Sequence, residues 1–153
     1  MRVCAVQLRS VAGEIPANIV THLQYIDRAA ARSADLVFFP ELSLTGYEPR
    51  LAKSLATDET DSRLDELQRR SDAHNLIIGV GLPIAAGSDA QIGMAWFTPR
   101  APRRRYAKQW LHADELPFFV PGAGQLLLGS DGCLLAPAIC YESLQPIHAA
   151  TAA

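Results

Sequence analysis

Cys140 stands where a nucleophile would be useful, at the end of the apolar run Leu134-Leu-Ala-Pro-Ala-Ile139. That run reads as a buried strand, and the Ala-rich stretch from Ser143 to Ala153 can open a helix. A cysteine at such a corner sits on a tight turn beside the free N–H groups of a helix start. Those donors lower a thiol pKa and can hold an oxyanion. The plainer reading is a small buried apolar residue. Glu41 follows Pro40 directly after the strand Asp35-Leu-Val-Phe-Phe39, in PELSLTGYEP. The loop beyond the carboxyl end of a strand is where ligand chemistry gathers in an α/β sheet, although an acid there can also cap a turn. Lys108 closes another strand and precedes Glu115 by seven residues. The two can pair inside a cleft, or form a surface ion pair of little consequence.

Taken together, the three stretches resemble the signature blocks of the nitrilase superfamily, the carbon–nitrogen hydrolases, in their usual order. PELSLTGY resembles the glutamate block. Lys108, Leu111, Glu115, Phe118, Pro121 and Gly122 meet the lysine block, and AICYES resembles the cysteine block. The resemblance implies Glu41, Lys108 and Cys140 as catalytic residues, with Glu115 as an assisting glutamate. It implies an α-β-β-α sandwich and hydrolysis of a non-peptide C–N bond in a small linear amide or carbamoyl compound, releasing ammonia. Cys140 as thiolate would attack to form a thioester. Glu41 would take the thiol proton, pass it to the leaving amine and then activate water. Lys108 and the backbone N–H of Tyr141 would stabilise the oxyanion, and Glu115 would hold Lys108. Tyr141 stands where the true nitrilases carry Trp, which favours an amidase. Glu142 falls on a family acidic position and is expected to be structural, at a helix start.

These residues need a scaffold, and the hydrophobic pattern supplies one. Val3 to Leu8 reads as a strand, Ala17 to Arg32 as a helix with Ile19, Leu23, Ile26 and Ala30 on one face, and Asp35–Phe39 as a second strand. That order implies a parallel pair with a crossover helix. Ser54 to Ala73 reads as a second helix with Leu64 and Leu67 inward. Leu76-Ile-Ile-Gly-Val-Gly81 reads as a strand buried on both faces. Gln91 to Thr98 and Arg103 to Ala107 add an antiparallel section. Cys4 and Cys133 have the ordinary strand-core reading.

Composition excludes several classes. The 153 residues suffice for one domain with a core, and 49% hydrophobic with 20% charged residues is ordinary for a globular chain. A net charge of −2 gives no reason to expect nucleic acid or an anionic membrane as partner. The basic cluster Arg100, Arg103, Arg104 and Arg105 reads as a solvated strand edge or turn. No run approaches the roughly 18 apolar residues of a membrane span. Three cysteines without CxxC spacing and four scattered histidines argue against a disulfide framework or a metal site, and no cofactor is expected. A reducing, cytoplasmic setting fits best.

Three departures from the family pattern are visible. Gln145-Pro146-Ile147 replaces the usual Phe-Pro-Glu. Pro137 is awkward inside a strand and can mark an edge or bulge. Family domains continue for about another hundred residues, a normal domain size. Residues 1–153 are therefore expected to be a single carbon–nitrogen hydrolase domain truncated at the C-terminus, lacking the later strands and helices. Homodimerisation is implied if the domain is complete. Alternatives are an acyltransferase of the same superfamily, or a non-catalytic remnant. A Cys–His arrangement using His112 or His148 would leave Glu41 unexplained.

Overall fold

The computed structural model describes residues 1–58, 60–130 and 132–152. Eleven regular elements follow in order among them: β1 (Val3–Ala5), α1 (Ile15–Ala30), β2 (Leu36–Phe38), α2 (Ala52–Leu55), α3 (Asp65–His74), β3 (Ile77–Ala86), β4 (Asp89–Phe97), β5 (Arg104–Ala107), β6 (Leu128–Ser130), β7 (Cys133–Leu135) and α4 (Pro146–Ala152). Three short 3-10 turns, Pro49–Leu51, Ser62–Leu64 and Cys140–Leu144, punctuate the connections.

One sheet runs in the order β1-β2-β3-β4-β5. β1, β2 and β3 are parallel, with α1 and α3 as crossovers, and β3-β4-β5 is an antiparallel meander. Alternation along the strands divides the core. Val37, Phe39, Ile78, Val80, Leu82, Ala95 and Phe97 face α1 and α3, where Ile15, Ile19, Ile26, Leu64 and Leu67 meet them. Leu36, Ile77, Ile92, Met94, Trp96 and Tyr106 face the other way, toward Phe119, Leu126, Leu128 and Ile139. The β6-β7 ribbon lies on this second side. Among the described residues, no helix is long and apolar enough to cross a membrane.

The expected strand–helix–strand order and antiparallel extension are present, and β3 is buried over most of its length. Arg104 and Arg105 lie on the edge strand β5, and Arg100 sits in the turn before it. Three expectations are corrected. The helix expected over Ser54–Ala73 is broken into α2, the Ser62–Leu64 turn and α3. Ala56 is extended and Thr57 bridges Ile84, while the Asp61 carboxylate caps Arg63 N–H to start the chain again. The strand expected over Leu134–Ile139 stops at Leu135, ahead of the buried Pro137, which has no N–H for a ladder. Cys133 is exposed on β7 rather than in a core.

Candidate active site

Glu41 belongs to a tight loop clamped on β3. Phe39 N–H donates to Gly79 O (2.9 Å) and Leu44 N–H to Gly81 O (2.9 Å). Between these anchors Leu42 adopts a left-handed backbone, φ 53°. The loop lies so close to β3 that a Cβ on Gly81 would stand 2.3 Å from Pro40 O and 2.5 Å from Leu42 N. Helix α1 holds it from behind. Asn18 Nδ2 donates to Leu44 O (2.9 Å), and the buried His22 reaches Ser43 Oγ with Nε2 (2.9 Å). One tautomer satisfies every partner: His22 Nδ1–H donates to Asn18 O, while the Ser43 hydroxyl donates to Nε2 and accepts from Gly81 N–H. Burial lowers the His22 pKa to about 4, so the ring is neutral at pH 7.

Lys108 follows β5, its N–H donating to Ile92 O and its carbonyl accepting from Gly122 N–H, both at 2.8 Å. Gly122 permits this because a Cβ there would lie 2.2 Å from Ala107 O. The Lys108 side chain is fully buried, and its Nζ donates to Glu41 Oε1 at 2.7 Å and Glu115 Oε1 at 2.6 Å. Glu115 Oε2 accepts from His112 N–H at 2.7 Å, which fixes that carboxylate. Burial opposes the ammonium, yet the bonds to Glu115 and Glu41 outweigh it and raise the Lys108 pKa. An ammonium has three protons; two go to carboxylates, and one direction is left for a substrate oxygen.

Cys140 opens the 3-10 turn after an extended Ile139 (φ −95°, ψ 115°), and its own φ is 47°. A left-handed non-glycine costs about 1–3 kcal/mol and persists only where its surroundings enforce it. This turn leaves Cys140 exposed, with Glu41, Lys108 and Glu115 as the charges that act on its thiol. Burial and the Glu41 charge push the thiol pKa up, against the pull of Lys108 and Tyr141 N–H. Burial also raises the Glu41 pKa, with Lys108 opposing. Each group thus alters the protonation of the other, and the pair titrates as one unit.

All five residues singled out by sequence, Glu41, Lys108, Glu115, Cys140 and the Tyr141 backbone, meet in this place. The two histidines are engaged elsewhere. His112 Nδ1 faces Asp114, and the ring nitrogens of His148 face Pro137 O (3.0 Å) and Glu142 (3.9 Å). Among the described residues no cluster could hold a metal ion. Sequence reasoning passed over Asn18, His22 and Ser43, whose role appears only in three dimensions, and Tyr47. Burial with the charges of Glu115, Asp114 and Glu41 pushes the Tyr47 pKa up to about 12. The Gly-Val-Gly of β3 is a legible sign of close backbone approach.

The loops after β2, β5 and β7 bring a thiol, an ammonium and two carboxylates together, which defines a compact class of site. Residues 2–153 match the carbon-nitrogen hydrolase family, and the chain belongs to it. The glutamine-dependent NAD(+) synthetase of Aquifex aeolicus (strain VF5) is 27% identical over 146 residues, which span 92% of this chain and 25% of that protein. A mutant of the amidase from Nesterenkonia sp. AN1, carrying the acetamide moiety of fluoroacetamide on its active-site cysteine, superposes with TM-score 0.87 at 21% identity. That match covers 99% of this chain and 60% of the amidase. XC1258 of Xanthomonas campestris, a CN-hydrolase superfamily protein with an arsenic adduct in its active site, gives TM-score 0.85 at 19% identity, over 95% of this chain and 55% of that one. The chain thus spans a little over half the length of these solved structures and a quarter of the curated relative.

Proposed function

We propose that the chain carries the site of a cysteine-dependent amidase acting on a small linear amide. The observation that carries this reading is the shared ammonium of Lys108, 2.7 Å from Glu41 and 2.6 Å from Glu115, beside the exposed Cys140 elbow. Glu41 accepts the thiol proton as sulfur attacks the amide carbon, and the C–N bond breaks as that proton reaches the leaving amine. Lys108 Nζ and Tyr141 N–H meet the developing oxyanion. Water, activated by Glu41, then cleaves the thioester to the acid and regenerates the thiol. Glu115 keeps Lys108 charged and in place.

The test is ammonia release from a panel of short aliphatic amides by the purified chain, with Cys140→Ala and Glu41→Gln as variants. Release by the wild type and its loss in both variants is expected; equal release by Cys140→Ala overturns the assignment. Acyl transfer is the competing use of the same thioester, and amine-dependent product without net acid would favour it. A second reading follows from the match to the Aquifex synthetase: the amide is the side chain of glutamine, and the ammonia serves a synthetic partner. Glutamine outpacing every aliphatic amide in the same panel would select it.

A further inference from the structure

We propose that Glu142 is a positioning residue that fixes the nucleophile elbow against the lysine loop, a role that presupposes the thioester chemistry proposed above. Its carboxylate is fully buried and stands between the two loops. Oε2 accepts at 2.8 Å from the N–H of Ile139, the residue immediately before Cys140. Oε1 accepts from Gln109 N–H at 2.6 Å, the peptide immediately after Lys108, with Trp110 N–H at 3.4 Å. Tyr106 Oη, on β5, donates to the same Oε1 at 2.7 Å. One carboxylate therefore holds the neighbours of both the thiol and the ammonium.

A cap for a single short turn needs one acceptor and no burial. Burying a carboxylate completely costs several kcal/mol unless its oxygens are satisfied, and here both are satisfied by groups that flank the reacting residues. Backbone donors cannot swing away as side chains can, so the carboxylate fixes the separation of the two loops. The left-handed Cys140 requires such an external restraint. The charges that act most on the thiol are Glu41, Lys108 and Glu115, while the Glu142 carboxylate is taken up by Ile139, Gln109 and Tyr106.

The experiment compares wild type, Glu142→Gln and Glu142→Asp. Glutamine keeps the shape but turns an acceptor into a donor facing two N–H groups or one; aspartate keeps the charge but is too short to span both loops. Reactive thiol is titrated with iodoacetamide and kcat is expressed per reactive Cys140. Both variants are expected to lose about a hundredfold in kcat, the scale of a misplacement near 1 Å, with KM changed far less. The pH profile of Cys140 alkylation is expected to move upward in Glu142→Gln, because Lys108 and Tyr141 N–H are held less well against sulfur. Removing a negative charge without moving anything would shift that profile downward, so the sign separates the two effects. Unchanged kcat per reactive thiol, or a downward shift, overturns the proposal and leaves Glu142 a structural cap. Alkylation requires no substrate: a wild type that alkylates but cleaves no amide would count against the amidase reading, while the profile comparison still decides on the clamp. Should Glu142→Gln fail to fold, kcat per thiol in Glu142→Asp decides it.

Discussion

Gly81→Ala adds a single methyl on β3 behind the Glu41 loop, yet it should disable the site. The new Cβ would stand 2.3 Å from Pro40 O and 2.5 Å from Leu42 N, where ordinary contact begins at 3.4 Å. The loop must therefore retreat by about 1 Å, since backbone on both sides offers no flexible side-chain end to yield. It is bonded to the same strand through Phe39 N–H and Leu44 N–H, each at 2.9 Å, and cannot retreat without stretching them. Glu41 moves with the loop, and a 2.7 Å bond to Lys108 Nζ lengthened by about 1 Å is no longer a hydrogen bond. Overpacking of this kind costs about 1–3 kcal/mol of stability, and the displacement costs about a hundredfold in rate. Urea unfolding and kcat/KM for amide hydrolysis measure the two effects. Gly124→Ala, where an added Cβ meets nothing within 4 Å, is the control and should be neutral. Wild-type stability and kcat/KM in Gly81→Ala would refute the claim that this close approach sets the position of Glu41.

Lys108→Met should leave two carboxylates facing each other without their shared ammonium. Removing one partner of a buried pair costs about 3–5 kcal/mol. The penalty should shrink in acid, because unpaired buried carboxylates take up protons more readily folded than unfolded; melts at pH 5 and pH 8 test that sign. His22 supplies an opposite case. Its pKa is about 4 when folded against an ordinary 6.5, so the unfolded chain binds the extra proton first and stability is lost as pH falls through that window. The loss should be about 2–3 kcal/mol between pH 7.5 and 4.5, and urea melts of His22→Gln should lack that part of the slope.

The residues that gather in the candidate site were legible because their motifs are local. Glu41 and Lys108 follow the ends of β2 and β5, and Glu115 and Cys140 lie in loops that Pro and Gly residues mark. The helical periodicity of Ser54–Ala73 was misleading for a physical reason. Leu55, Leu64 and Leu67 do share a core, but they reach it from α2, the Ser62–Leu64 turn and α3, with the Thr57 bridge to β3 after α2. No local propensity encodes that bridge. Pro137 was the better guide to its own strand than the apolar run around it. Glu142 shows the limit of a motif: its position was readable, but its four donors come from Tyr106, Gln109, Trp110 and Ile139, which only the fold assembles.

The central claim is that Cys140 forms a thioester with the acyl part of the amide. Acid quenching during turnover of a short aliphatic amide, followed by intact-mass and peptide mass spectrometry, measures it most directly. The account predicts an acyl adduct on the Cys140 peptide of the wild type, absent in Cys140→Ala and strongly reduced in Glu41→Gln, which lacks the base that activates the thiol. Ammonia released at the wild-type rate by Cys140→Ala, with no adduct on the wild-type Cys140 peptide at any quench time, would contradict it.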